Sequence, residues 1–159
     1  MTAEDDTPWL TPEERGAWLA VAALMVQLPT ALDAQLERDS GLSMFEYMVL
    51  SVLSEQPDRT MQMTEIARFA SSSLSRLSHT AKRLENAGYL TRRQVPGGGR
   101  RTNATLTDAG YAKVQLTAPA HVREVRRLLI DTLDADEIRV LAGIGRKVVH
   151  AIDPDRKCG

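Results

Sequence analysis

The chain has 159 residues with a formal net charge of −1, and 43% of its residues are hydrophobic while only 4% are aromatic. This length favours one domain with a largely aliphatic core, and the one cysteine, Cys158, excludes a disulfide within the chain. The longest apolar run, Ala17 to Val26, is shorter than the roughly 20 residues of a spanning helix, and the acidic N-terminus lacks the basic segment of a signal peptide, so we expect a cytoplasmic protein without a membrane partner.

The first predicted helix begins at Thr11-Pro12, because threonine can cap a helix and proline is tolerated at its first position. Apolar residues recur every three or four positions from Trp18 to Leu36. Pro29 lies within this stripe and predicts a kink, and Ser40-Gly41 ends the helix. The apolar face exceeds what a small core requires, so we interpret residues 1–40 as an N-terminal dimerisation helix.

Further helices are predicted after Ser43, over residues 63–70 and over residues 74–87, where three serines precede the helix and Gly88 ends it. Strands over 89–95 and 102–106 flank a turn of one proline and three glycines, which predicts a β-hairpin. A helix from 107 to 133, bent or broken at Pro119, and a last helix from 134 complete the chain. The predicted fold is mainly α (α+β), with about six helices and a two-stranded hairpin.

Positive charge is concentrated in one segment of this nearly neutral chain. Residues 68–101 carry eight Arg or Lys and one Glu, a net charge of +7, whereas residues 1–67 carry −9 and residues 102–159 carry +1. A cationic module in an otherwise acidic protein is the electrostatic pattern of phosphate binding. The distribution therefore favours a nucleic-acid partner.

The helix over 74–87 has two distinct faces. At 100° per residue, Leu77, Ala81 and Leu84 form an apolar face, and Ser, Arg, His, Lys and Asn side chains lie opposite. Such a helix fits the major groove, where these side chains can read bases or neutralise phosphates. Alone, a polar face is usually only solvated. Here it follows a short helix and a small polar turn and precedes a hairpin with a basic tip, an order typical of a helix-turn-helix.

Several motifs resemble the MarR family of winged-helix regulators. They are Gly41-Leu42-Ser43 with Tyr47-Met48-Val49-Leu50, Met63-Thr64-Glu65-Ile66-Ala67, Ser73-x-Ser75-Arg76-Leu77-Ser78-His79, Arg83-Leu84-Glu85-Asn86-Ala87-Gly88-Tyr89-Leu90, Arg92 and Leu106-Thr107-Asp108-Ala109-Gly110. The resemblance covers roughly residues 12–150 and is most specific over 63–110. It implies a homodimeric DNA-binding regulator, more commonly a repressor, whose terminal helices pair the subunits and whose hairpin, the wing, grips DNA.

This resemblance defines the expected organisation. Residues 41–107 form the DNA-binding lobe, 108–153 the C-terminal dimerisation helices and 154–159 a flexible tail. The two recognition helices of a dimer should meet major-groove faces about 34 Å apart, which predicts an inverted-repeat operator. The wing departs from the family pattern of Asp-x-Arg, because Gly98 replaces the aspartate that would orient Arg100.

The predicted DNA contacts divide by role. Base reading is assigned to Ser75, Arg76 and His79, with Thr80 and Arg83 on the flank, and phosphate contacts to Lys82, Arg92 and Arg101. Ser73 at the helix N-terminus and Arg100 at the wing tip complete the predicted interface.

The family resemblance, together with the expected arrangement of the helices, also implies a site for a small apolar or phenolic effector that releases the DNA. Met and aromatic side chains suit such a ligand and lie on helices expected to meet between the dimer core and the DNA-binding lobe. The candidates are Trp18, Met25, Met44, Tyr47, Met48 and Tyr111. Each of them could equally be an ordinary core residue.

Other functions have weaker support in the sequence. No catalytic spacing of Ser, His, Asp or Cys is present, and Gly143-Ile144-Gly145 lacks the spacing of a phosphate loop, so we expect neither an enzyme nor a cofactor. His121 and His150 could serve a metal sensor, and Cys158 a redox sensor through a disulfide between subunits, although neither has supporting spacing. A winged helix that binds protein instead of DNA is the remaining alternative, and the +7 segment disfavours it.

Overall fold

A computed structural model describes residues 7–154, so Cys158 and all of the predicted tail except Pro154 lie outside the described residues. Its elements are α1 (Pro12–Ser40), α2 (Met44–Ser54), β1 (Thr60–Gln62), α3 (Met63–Phe69), α4 (Leu74–Asn86), β2 (Leu90–Gln94), β3 (Thr102–Leu106), α5 (Asp108–Leu128), a 3-10 turn (Ile130–Thr132) and α6 (Ala135–Ile152). The predicted six helices and winged helix-turn-helix order are confirmed.

Side-chain caps explain where the helices begin. The hydroxyl of Thr11 accepts from the amide of Glu14, and the Glu14 carboxylate accepts from the amide of Thr11 at 2.8 Å. Ser43 begins α2 with the same reciprocal capping box. Pro29 and Pro119 both lie inside uninterrupted helices, so neither ends its helix. Of the bend or break predicted at Pro119, the break is absent because α5 continues to Leu128.

The sheet has three strands, which corrects the predicted two-stranded hairpin. Its order is β1-β3-β2, with both pairings antiparallel. Thr60 pairs with Thr105, and their hydroxyl oxygens lie 2.8 Å apart. No sequence pattern indicates β1, because three residues directly before a helix are too few to display an alternating pattern. β1 fixes the wing to the lobe at the start of α3.

The core lies in the lobe of residues 41–107, between α2, α3, α4 and the sheet. Its largest fully buried side chains include Leu50, Leu53, Ile66, Leu77, Leu84 and Leu90. The first turn of α5 packs directly against the residue before β2, since a Cβ added at Gly110 would lie 2.0 Å from the carbonyl oxygen of Tyr89. This close approach fixes α5 relative to the lobe.

The N-terminal two thirds of α1 and all of α6 leave apolar side chains exposed. Val21 is 47% exposed on α1, Ile144 is 55% exposed on α6, and no residue of α6 is buried. By length and composition α1 could also cross a membrane, with a mean hydropathy of 1.5 over 18 residues, a test that core helices of soluble proteins also pass. These faces require a cover that the single chain does not supply.

Polar contacts connect α1 and α5 to α2 of the lobe. Buried Gln35 on α1 donates to Asp39 at 2.9 Å, and its side-chain oxygen lies 3.2 Å from Nδ1 of His121 on α5. The His121 ring also meets Tyr47 of α2 edge-on, with a centroid distance of 4.8 Å. Burial lowers the pKa of His121 below its ordinary value. This cluster joins α1, α2 and α5.

Candidate nucleic-acid interface

The α4 helix is positioned by its apolar face and displays a polar one. Ser73 caps it by accepting from the amide of Arg76 at 3.2 Å, and Leu77, Ala81 and Leu84 are buried. The exposed side chains on the opposite side are those of Ser75, Arg76, His79, Lys82 and Arg83. The surface predicted to read DNA is therefore open to solvent. Their individual DNA contacts stay predictions.

Thr80 is the exception among the predicted contacts on α4. It is only 9% exposed, so it does not belong to the open face. At 100° per residue it lies roughly 40° from Leu84, close to the edge of the apolar face. The lobe covers this edge, which the helical wheel alone could not reveal.

Two arginines of this face contact the first turn of α2. Nη2 of Arg83 lies 2.6 Å from Oε1 of Glu46, and Cζ of Arg76 lies 4.5 Å from the ring centroid of Phe45. The Glu46 side chain is 6% exposed, whereas that of Arg83 is 70% exposed. Each guanidinium group thus contacts α2 on one side and is exposed to solvent on the other.

Arg92 is engaged within the protein. Its Nη2 and Nε donate to Oε2 of Glu85 at 2.8 and 3.2 Å, and its amide donates to Oε1 at 2.9 Å. The hydrogen bonds from the Arg92 side chain, and to a lesser extent the one from its backbone amide, hold the pKa of Glu85 below its usual range. The pair ties the end of α4 to β2, so the side chain predicted to contact phosphate also braces the wing.

The wing turn is built from glycines in a specific geometry. Gly97 and Gly99 have φ values of +69° and +64°, a region that favours glycine. A Cβ added at Gly98 would lie 2.9 Å from Cβ of Val95. The family's aspartate therefore does not fit this turn without moving it. Nε of Arg101 instead donates to the carbonyl oxygen of Gly98 at 3.0 Å.

The wing tip and α4 border the same groove. Leu74 and Ser78 of α4 line a cavity of about 340 Å³ together with Arg100 and Arg101 of the wing. Thr64 of α3 contributes to the same wall. The turn between α3 and α4 contains Ser71 with a φ of +48°. The cationic wing tip thus lies beside the N-terminal half of α4, as a groove-reading arrangement requires.

The six predicted effector residues do not form one site. Met44 and Met48 line an open groove of about 500 Å³ between α1 and α2, which Phe45 and Arg76 also border. Tyr47 packs against His121, and Tyr111 lies under the guanidinium of Arg59, whose Cζ is 3.9 Å from the ring centroid. Trp18 and Met25 are 53% and 56% exposed on α1.

Sequence reasoning missed the residues that hold the arginines. Phe45 and Glu46 give no signal beyond a helix start, because Glu46 sits where a capping-box glutamate is expected. Only the packing of α2 against α4 brings them to Arg76 and Arg83. Within residues 7–154, no group of three or more His, Cys, Asp or Glu side chains is arranged to hold a metal ion.

Comparison with known proteins identifies the family of this arrangement. Residues 40–101 match the model of the MarR family. Over 79 residues the chain is 32% identical to the HTH-type transcriptional regulator PecS of Dickeya dadantii (strain 3937), a match covering 50% of this chain and 48% of PecS. The chain therefore spans about half the length of this curated relative.

Two solved structures are similar over nearly the whole chain. Sco3205, a MarR family transcriptional regulator from Streptomyces coelicolor solved in complex with DNA, is 38% identical with a TM-score of 0.89, covering 96% of this chain and 95% of Sco3205. AbsC, a MarR family transcriptional regulator from the same organism, is 32% identical with a TM-score of 0.86, covering 94% and 100%. The resemblance seen in the sequence is confirmed, and the chain belongs to the MarR family of winged helix-turn-helix transcriptional regulators.

Proposed function

We propose that this chain is a dimeric repressor that binds an inverted-repeat operator in double-stranded DNA and is released by a small apolar or phenolic effector. The observation that carries the DNA-binding part is the exposed Ser, Arg, His and Lys face of α4 beside the wing arginines. A likeness over 96% of the chain to a regulator solved with DNA supports it.

Dimerisation supplies the cover that α1 and α6 lack. A second copy would bury the apolar side chains of both helices and place two α4 helices on one side of the molecule. Their separation of about one helical turn of DNA favours an inverted repeat. The protein acts in the cytoplasm, where its operator lies, and α1 serves as an interface rather than a membrane span.

Each contact residue has a proposed role. Ser75, Arg76 and His79 read base edges in the major groove with Arg83 on their flank, while Lys82, Arg100 and Arg101 neutralise phosphates. Arg92 contributes mainly through its pair with Glu85, which holds the wing against α4. Thr80 is not retained as a contact, since it is buried.

The effector site is placed in the groove between α1 and α2. Met44, Met48 and Phe45 give it apolar, adaptable walls. It borders Arg76 of the reading face, which is the exposed α4 surface of Ser75, Arg76, His79, Lys82 and Arg83. A ligand that prefers a dimer arrangement unable to bind DNA would release the operator by shifting the population. Thermal stabilisation by phenolic and lipophilic compounds tests this part, and no shift across a broad panel would identify a constitutive binder.

The decisive experiment is selection of bound sequences from a random duplex library by the full chain, followed by fluorescence anisotropy at two salt concentrations. We expect an enriched inverted repeat, bound more tightly than a scrambled duplex, with affinity falling steeply as salt rises. Sedimentation in the same buffer checks for a dimer. No binding to any duplex at low salt would overturn the proposal in favour of a protein-docking winged helix.

A further inference from the structure

The first turn of α2 contacts two arginines of the reading face of α4, Arg76 and Arg83, through two different kinds of interaction. Glu46 forms an ion pair with Arg83, with 2.6 Å between Oε1 and Nη2, and the ring of Phe45 faces the guanidinium of Arg76 at 4.5 Å. The two contacts leave both guanidinium groups on the exposed surface. They differ in the group that loses its partner if the arginine moves, which is a buried carboxylate for Arg83 and an uncharged ring for Arg76.

Glu46 could not lose its arginine without a large penalty. Its carboxylate is buried, and its second oxygen already accepts from the amide of Ser43 at 2.9 Å. If Arg83 moved away to a phosphate, the Glu46 charge would stay buried, and within residues 7–154 that amide would be its one remaining partner. Removing one member of a buried ion pair is strongly destabilising. The pair should therefore persist when DNA is bound.

Arg83 keeps donors for DNA while it holds Glu46. A guanidinium has five N–H donors in a rigid plane, and the ion pair involves those on Nη2. The Arg83 side chain is 70% exposed, so its remaining donors are accessible. A donor set that is already fixed loses less conformational entropy on binding than a free arginine.

Arg76 lacks such a constraint. A cation–π contact at an exposed site is weak, and its loss leaves no buried charge behind. Arg76 can leave Phe45 to reach a base. The same turn of α2 therefore supports one fixed and one adaptable arginine.

We infer that Glu46 is a positioning residue for DNA reading, which fixes the guanidinium of Arg83 so that it discriminates operator from other sequences without touching DNA itself. This inference rests on the proposed function, because Arg83 must face the duplex. Selectivity would then depend on a side chain that is buried in the lobe.

The test is a double-mutant cycle with Glu46→Gln, Arg83→Ala and the double variant, all as full-length protein. Glutamine preserves the capping box of α2 and removes only the charge. The readout is the ratio of the dissociation constants for random duplex and for the duplex selected by the native protein. We expect Glu46→Gln to lower this ratio about tenfold in the native background and less than about twofold beside Arg83→Ala.

Glu65→Gln is the matched control, since Glu65 closes the capping box of α3 without forming an ion pair within residues 7–154. It should leave the ratio unchanged. An equal loss from Glu46→Gln in both backgrounds would overturn the inference and indicate a purely structural role. A native protein without any selectivity would instead overturn the proposed function.

A second variant tests the inference independently if Glu46→Gln does not fold. Arg83→Lys preserves a cation for Glu46 but replaces the planar fork with a single ammonium. We expect it to bind random duplex nearly as well as the native protein and to lose discrimination about fivefold. Full discrimination by Arg83→Lys would refute a fixed guanidinium as the reader.

Discussion

The DNA-binding lobe and the pair of helices α1 and α6 carry the same kind of apolar spacing, yet they differ in what covers it. In the lobe, Leu53 and Ile66 are fully buried within the chain. On α6, Val148 and Ile144 are more than half exposed. Periodicity therefore predicts that a face will be covered, whereas the covering element, the same chain or a second copy, depends on the tertiary arrangement.

The largest expected effect comes from placing a charge on the uncovered face. Ile144→Asp would bury an unpaired carboxylate in the proposed dimer, at about 3–5 kcal/mol per copy. We expect the dimer dissociation constant to rise more than about 100-fold in sedimentation experiments. Exposed Arg146→Asp, a charge change two residues away on the same helix, is the comparison variant. An unaltered dimer in Ile144→Asp would show that another surface joins the subunits.

A substitution in the packed region tests the other side of the comparison. Gly110→Ala would force a Cβ to 2.0 Å from the carbonyl oxygen of Tyr89 and lower the free energy of unfolding by about 3 kcal/mol. Gly143→Ala on α6 meets nothing within 4 Å and should raise helix stability by about 0.5–1 kcal/mol. Urea denaturation compares them. Similar midpoints for both variants would contradict the close packing of α5 against Tyr89.

The reading face should be separable from the dimer helices. Arg76→Ala is expected to cost about 1–3 kcal/mol per half-site and to relax sequence preference, because it removes the proposed base contact. Lys82→Ala should weaken all duplexes alike and flatten the salt dependence. Gel shifts on selected and scrambled duplexes at two salt concentrations distinguish them. Identical behaviour of the two variants would remove the division of roles, and both should remain dimeric.

The smallest effect concerns the cluster that joins the two regions. Because burial lowers the pKa of His121, the unfolded chain takes up a proton there before the folded one does. The free energy of unfolding should therefore fall as the pH drops through about 6.5, the ordinary histidine value. His121→Gln removes this proton uptake, because glutamine does not titrate. The difference between the denaturation midpoints at about pH 7.5 and 5.5 should be smaller in the variant than in the native protein. An equal loss of stability in both proteins at the lower pH would exclude His121 as the cause.

Much of the fold could be predicted because its signals are local. Thr11 and Pro12 mark the start of α1, Gly41 marks its end, and the structure places the boundaries there. The glycine turn and its flanking strands were equally clear. β1 could not be predicted, because its three residues owe their conformation to pairing with β3 rather than to their own pattern.

The site was predictable only where one helix defines it. A helical wheel identified the exposed face of α4, but Thr80, which was assigned to the flank of that face, is buried at the edge of the apolar face. The contacts of Glu46 and Phe45 with α4 depend on how separate helices pack, which a single sequence does not encode locally. The same reason explains why six apolar effector candidates on several helices share no single cavity.

The crowding at Gly98 has a practical consequence for engineering this regulator. Since Val95 occupies the space that a side chain at position 98 would need, an acidic orienting group introduced there by one substitution would have to displace Val95 or the turn. Exchanging the loop over 95–101 together with the aspartate avoids this conflict. The tip is therefore better redesigned as a unit than one residue at a time.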